Sequence, residues 1–389
     1  MDMKASPYSM LRGPLPMNLA ARLAKLVAFD TQNPAGDERP LVDALAGELR
    51  ELGAAAVDVR AVGEHAFVYA RFGRGTPRVL LNAHVDTVPA NSGYTAPPHR
   101  LIERDGRLHG LGSADTKGAI AAIMQALADA RGAGVAPEGV AVLFSGDEER
   151  RGTCMRAFLA DRALSDGLER AIACEPTGGL VGWRHRGIGA AEATATSPGG
   201  HSSRADFVPN PVAVLARAAV ALDDMGRRYR TQGPRGFEGL CMNVASLDGG
   251  LAFNVIPSRA TLRMSLRPAP GADMPALLAE AEQLVREATA PHAIEWQVVN
   301  ANPPFQTGDL AGFETLLPGT TAGAVDLAFW TEAALLSEAG VDAVVYGPGH
   351  IEQAHAADEY VPMAELEAAH ATFLRMLSGP LGRKEDAAR

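Results

Sequence analysis

The sequence predicts an α/β protein in which a mostly parallel sheet is flanked by helices and interrupted by an inserted α+β unit of ferredoxin-like order. Three observations lead there. Short, wholly apolar runs such as Val140–Phe144 and Ala171–Cys174 alternate with segments of helical period, the rhythm of βαβ units buried on both faces. From Trp183 to Val299 the rhythm becomes strand–helix–strand–strand–helix–strand. After Asn300 the first rhythm resumes, dividing the chain into 1–182, 183–299 and 300–389.

In chain order, Leu41, Val42, Leu45, Leu49 and Leu52 recur at helical spacing, and Gly53 supplies a stop. Ala66–Ala70 and Arg78–Leu81 read as strands. The second runs into His84 and Asp86, which period-two alternation puts on one face. A metal-binding histidine usually has its other ring nitrogen or its orientation fixed by an acceptor, although a lone His-x-Asp is more often a polar strand end. Gly110–Gly118 is a glycine-rich loop opening an alanine-rich helix, with Asp115 where that helix begins, the place of an N-cap. Val140–Phe144 then leads into Ser145-Gly146-Asp147-Glu148-Glu149. Three adjacent acids after a buried strand repel one another unless a cation or proton relieves them. Ala171–Cys174 runs into Glu175, and Val344–Gly349 leads toward His355.

Within the insertion, Gly189–Thr196, Cys241–Leu247, Asn254–Leu266 and Ile294–Val299 read as strands, and Pro211–Met225 and Asp273–Ala290 as helices. Met363–Leu377 is the closing helix.

Histidines and carboxylates thus gather at the carboxyl ends of strands, where open α/β sheets place their sites. A donor set of imidazole and carboxylate without thiolate suits zinc, cobalt or manganese in a hydrolytic site. A shared carboxylate would allow two ions about 3.5–4 Å apart. Spacing says only that one of Glu148 and Glu149 can face metal while the other faces substrate.

Composition narrows the class. The 389 residues allow two or three domains, and the net charge of −10 argues against nucleic acid and anionic membranes as partners. The three cysteines make no paired framework, which suits a reducing, cytoplasmic setting, and Cys174 reads as a buried strand thiol rather than a ligand. Met1–Pro7 leads into no apolar leader, no run is long enough to span a bilayer, and the polar end Gly382–Asp386 reads as a frayed tail.

Six motifs carry a resemblance. They are His84-Val85-Asp86-Thr87-Val88-Pro89, Gly112 to Gly118, Asp147-Glu148-Glu149, Glu175-Pro176-Thr177, Gly199-Gly200-His201-Ser202-Ser203 and Gly347 to Tyr360. On them the chain, from about Leu19 to about Leu377, resembles the di-zinc M20 amidohydrolases and aminoacylase-like peptidases, and within them the acetylornithine deacetylases. The resemblance implies a zinc-peptidase sheet with an inserted dimerisation domain, and two zinc ions per chain for which cobalt can substitute. His84 and Glu175 would hold one ion, Glu149 and His355 the other, and Asp115 would bridge them. Asp86 would orient His84, and Glu148 would be the general base. In a homodimer His201 would reach the partner subunit's active site and donate to the developing oxyanion. Asn254 would contact substrate, and Arg267 would fork onto its α-carboxylate.

The implied reaction is hydrolysis of a small N-acyl amino acid, N-acetyl-L-ornithine first, with a place in arginine biosynthesis. Val325–Ala333 also resembles the deacetylases of N-acetyl-L-citrulline, and succinyl-diaminopimelate desuccinylases share the metal set. A relative without catalysis would lack a ligand or the base, and none is missing here. His350 stands where the acetylornithine deacetylases have a small or acidic residue, which bears on side-chain preference. Glu332 and Glu352 are the acids near the matched motifs that could meet a substrate ammonium.

Overall fold

The computed structural model describes residues 18–379, so Met1–Pro7 and Gly382–Asp386 lie outside the described residues. Four parallel strands form the centre of the main sheet, in the order Val140–Ser145, Val79–His84, Arg170–Ala173 and Asp342–Val345. The first three are buried along their whole length, as expected of strands covered on both faces. Parallel pairing is concentrated in this centre. On one side His65–Phe72 and Ala56–Val62 add antiparallel, and on the other Gly182–His185 and Phe305–Gln306 do the same. A short strand, Val325–Leu327, runs parallel to Gly182–His185.

Alternation divides the strand side chains between two cores. Val79, Leu81, Val140, Val142 and Phe144 face helices Arg39–Glu51, Lys117–Gly132 and Met363–Ser378. Leu80, Ala141 and Leu143 face Thr153–Ala160 and Ala333–Glu338 through Phe158 and Leu335. All four central strands run the same way, so their carboxyl ends come out together at one edge. That edge carries the site.

Strand Gly182–His185, with Trp183, belongs to the main sheet, and the second sheet begins at Ile188. It is antiparallel, ordered Asn243–Gly249, Arg259–Leu266, Ile188–Thr196, Ile294–Asn302. Helices Pro211–Tyr229 and Met274–Thr289 pack on one face, through Leu215, Leu222, Leu278 and Val285 against Ala191, Ala193 and Leu262. Asn210 and Asp273 cap these helices by accepting N–H groups of the first turn, and a proline follows in each first turn.

Two expected strands differ in detail. Asn254–Leu266 is broken: Val255–Ile256 pairs with Gly200–His201, and the long strand starts only at Arg259. Pro257 has no N–H to continue a ladder. The strand expected from Cys241 starts at Asn243, because Cys241 adopts a left-handed φ of 47°. The two sheets are joined by a pair of short links, from His185 to Ile188 and from Asn302 to Phe305.

Candidate metal centre

His84 ends its strand and turns Nε2 toward the open edge, 2.9 Å from Asp115 Oδ1 and 3.9 Å from Glu175 Oε2. His355 approaches the other oxygen of the same carboxylate, with Nε2 3.4 Å from Asp115 Oδ2 and 3.1 Å from Glu149 Oε1. The donor atoms fall into two groups, His84–Asp115–Glu175 and Asp115–Glu149–His355, each lying within 4.8 Å of one another. Asp115 therefore offers one oxygen to each group, which is the arrangement a bridging ligand needs.

Asp86 does not reach the open edge. Its carbonyl accepts His84 Nδ1–H at 2.9 Å, fixing the ring so that Nε2 is free to bind. The Asp86 carboxylate accepts the backbone N–H groups of Glu148 at 3.1 Å and Glu149 at 3.2 Å, and the Asn33 amide at 3.0 Å. Burial opposes its charge, but the bonds from His84, Asn33 and Glu148 outweigh that and hold its carboxyl below the usual range.

The three adjacent acids divide their work. Asp147, at a left-handed φ of 61°, turns inward and is bonded by Asn33 at 3.1 Å and by the Thr153 hydroxyl at 2.6 Å. Glu149 faces His355, and Glu148 lies half-buried beside it.

Burial raises the carboxyls of Glu148, Glu149 and Glu175, and repulsion from the neighbouring carboxylates adds to it. Asp115 is opposed by the same burial yet held low by hydrogen bonds from His355 and His84. Bonds to Asp115 and Glu149 push His355 up to about 10, and His84 is raised well above its ordinary value despite its burial. A knot of carboxylates that burial disfavours so strongly, with two imidazole nitrogens aimed into it, fits divalent cations. Cys174 is buried, its thiol directed at the Ile172 carbonyl at 3.8 Å, and it belongs to neither donor group.

The substrate candidates are not gathered together within one chain. His201 is exposed, bonded through Nδ1 to the Ser203 hydroxyl at 2.9 Å, and Asn254 lies beside it, its carbonyl accepting the Ser202 N–H. Arg267 is exposed at the opposite end of strand Arg259–Leu266, roughly 23 Å away at the usual rise per strand residue. Its N–H donates to the Leu240 carbonyl and its carbonyl accepts from Arg186, beside the links to the main sheet.

The two acids near the matched motifs take different places. Glu332 is buried, accepting from Asn82 at 3.0 Å and from the Ser145 hydroxyl at 2.6 Å, and burial pushes it up to about 7. Glu352 is exposed. His350 is tied to Glu365 at 3.1 Å, with its ring packed over Gly178, where a Cβ would meet it at 2.3 Å.

Two supporting residues escape a reading of the sequence. Asn33 joins Asp86 to Asp147, with no signal beyond an Asn-Pro turn. Glu359 accepts three backbone N–H groups from the loop carrying Asp115, and its only signal is an acid pair just after His355.

Comparison with known proteins agrees with this geometry. The model of peptidase family M20/M25/M40 matches residues 80–379. The N-acetyl-L-citrulline deacetylase of Xanthomonas campestris pv. campestris is 35% identical over 375 residues, covering 92% of this chain and 96% of that protein. The acetylornithine deacetylase of Proteus mirabilis is 31% identical over 345 residues, covering 84% of this chain and 86% of that one. Among solved structures, an M20 family metallo-carboxypeptidase from Sulfolobus solfataricus superposes with a TM-score of 0.76 at 15% identity, covering 93% of this chain and 98% of its own.

Proposed function

The chain belongs to peptidase family M20/M25/M40 and is a metal-dependent amidohydrolase, and from that premise we propose that it deacetylates an N-acetyl amino acid whose distal group is uncharged, N-acetyl-L-citrulline first. The observation that carries the chemistry is the Asp115 carboxylate, one oxygen facing His84 and Glu175 and the other Glu149 and His355.

On this reading His84 and Glu175 hold one zinc ion, Glu149 and His355 a second, and Asp115 both. When bound, the ions supply water acidified toward neutrality and polarise the acyl carbonyl. Glu148, half-buried beside Glu149, takes the proton of the attacking water and returns it to the leaving amine nitrogen as the C–N bond breaks. Asp86 holds the Glu148 and Glu149 N–H groups, so base and ligand keep their relative aim. Arg267 grips the α-carboxylate, as a planar guanidinium can in a two-pronged fashion.

A homodimer through the segment 183–299 completes the site. Its support is the far end of the second sheet, where His201 and Asn254 are accompanied by Phe207, Leu251 and Phe253 at 82%, 92% and 109% exposure. Apolar side chains so bare beside the matched loop suit burial against a second copy. The partner's His201 then donates to the developing oxyanion, and the partner's Asn254 contacts substrate. Among the described residues no helix is long and apolar enough to cross a membrane. Free cysteines, Cys154, Cys174 and Cys241, support a cytoplasmic setting.

The distal group is argued from Glu332. Its Oε2 accepts from both Asn82 and the Ser145 hydroxyl and the side chain is 2% exposed, which leaves an ammonium little access to it. Burying an ammonium without a partner costs several kcal/mol, whereas a ureido group is neutral. The 35% identical relative bears the same substrate in its name. N-acetyl-L-ornithine is the second reading, favoured by Glu352, an exposed acid three residues before His355. The deciding measurement is kcat/KM for both substrates and for N-succinyl-diaminopimelate at identical zinc loading. We expect acetylcitrulline to lead. A preference for acetylornithine above about tenfold, roughly 1.4 kcal/mol in the transition state, reverses the order.

A further inference from the structure

We propose that Glu359 is a positioning residue that sets the Asp115 loop against the His355 segment, and so builds the half of the centre formed by Asp115, Glu149 and His355. This inference rests on the metal reading above.

The loop Gly110–Lys117 is buried at every residue and lies outside the sheet ladders, so its N–H groups need partners of their own. Two find them inside the loop, Ser113 N–H on the Gly110 carbonyl and Lys117 N–H on the Gly112 carbonyl. Three others, from Gly112, Ala114 and Asp115, converge on the Glu359 carboxylate at 2.8, 2.9 and 3.0 Å. Glu359 comes from a segment some 245 residues away, and its own carbonyl accepts the Gly110 N–H at 2.9 Å. The next residues, Tyr360–Pro362, pair with Arg107–His109 at the other entrance of the loop. The loop is thereby clasped by side chain and main chain together.

What makes the contact more than satisfied backbone is where its ends lie. One donor is the N–H of Asp115 itself. The acceptor stands four residues after His355, and the stretch between is stiffened by left-handed turns at His355 and Asp358 and by the Asp358 carboxylate accepting from Thr95 at 2.8 and 2.6 Å. One carboxylate thus sets the spacing of two donors that must meet one ion. His84 and Glu175 are placed instead by the ends of central strands.

The two halves of the centre should therefore respond differently to Glu359→Gln, which keeps the shape but removes the charge and one acceptor. The probe is cobalt(II) alone, titrated into metal-free full-length protein by calorimetry and by visible absorption. Wild type should bind two ions. In E359Q one affinity should fall at least ~10-fold, the low end for losing a group that orients a metal ligand, with a changed absorption band, while the other, which shares Asp115 but keeps His84 and Glu175, falls less. Turnover of the zinc-loaded variant should fall with KM nearly unchanged, and E359D, which keeps the charge, should recover part of the lost affinity. If E359Q does not fold, by circular dichroism, E359D carries the test with a smaller loss of the same kind. Wild-type affinities and absorption in both variants overturn the inference. So does equal weakening of both ions that Leu222→Ala, a core change in the second sheet matched for melting temperature, reproduces. A wild type that binds no cobalt instead refutes the metal reading itself.

Discussion

His84 is held by the main chain of Asp86, with Nδ1 2.9 Å from its carbonyl oxygen and 3.5 Å from its carboxylate. The carboxylate is left to receive Glu148 and Glu149 from the neighbouring strand. A single residue therefore fixes a ligand through its backbone and the base-bearing turn through its side chain. Asn33 steadies it by bonding Asp86 and Asp147 at once.

Replacing Asn33 by alanine should take one donor from each of two buried carboxylates, Asp86 and Asp147. Losing a buried hydrogen-bond partner costs about 1–3 kcal/mol, and denaturant melts of the variant should show a loss in that range. Unchanged stability would mean that the two carboxylates find other donors.

Glu148→Gln preserves size and removes the base. Turnover should fall at least ~100-fold, the lower end of what a positioned general base contributes, with metal content close to wild type by elemental analysis. Glu149→Gln should lose metal. The reverse pattern would exchange the roles of these neighbours.

Mixed dimers test the placement of His201. His201→Ala and Glu148→Gln subunits, each inactive alone, should regain activity when co-assembled, because one of the two sites then has both groups intact. Verified heterodimers without activity, or an active monomer, would count against a contribution across the interface.

His185 gives a pH signature remote from the donor groups. It is fully buried, donates from Nδ1 to the Arg186 carbonyl and receives the Thr331 hydroxyl at Nε2. Burial holds its imidazole down at about 4 against an ordinary 6.5. Below pH 6.5 the unfolded chain takes up a proton that the folded chain refuses until about 4, so stability is lost as the pH falls through that window. The loss reaches about 3 kcal/mol at its acid end. His185→Phe should melt with a shallower pH dependence between 6.5 and 4.5, and an unchanged slope would show that the ring protonates in the folded state.

His84, Glu149 and Glu175 were legible because each comes just after an apolar strand, where a polar residue is conspicuous, and Asp115 and His355 because they lie in glycine-rich loops of the matched motifs. The partners that aim them were not. Asn33 and Glu359 act across long stretches of chain, and nothing local marks an acid as an acceptor for distant N–H groups. Glu332 shows the difference: beside a matched motif it looks available to substrate, yet folding turns it onto Asn82 and Ser145. Asn254 and Arg267 are expected at the two ends of one strand, and the strand Arg259–Leu266 does hold them apart. The inserted sheet itself was visible through its alternation, which Arg259–Leu266 retains residue by residue.

The paired links between the sheets, His185 to Ile188 and Asn302 to Phe305, give the second sheet the mechanics of a lever. The links, with the contacts beside them from Arg184 to the Arg235 carbonyl, Asn300 to the Arg150 carbonyl and Arg156 to Asn302, lie at one end of the sheet, so a rotation there is amplified at the other. Arg267 stands at the fulcrum and His201 with Asn254 at the tip, roughly 23 Å out along the strand. A swing of about 10° would carry the tip through roughly 4 Å while the arginine stays almost still, more than the span of a hydrogen bond. Groups at the fulcrum can hold a substrate of their own chain through such a stroke, while groups at the tip, in the proposed dimer, engage the partner's.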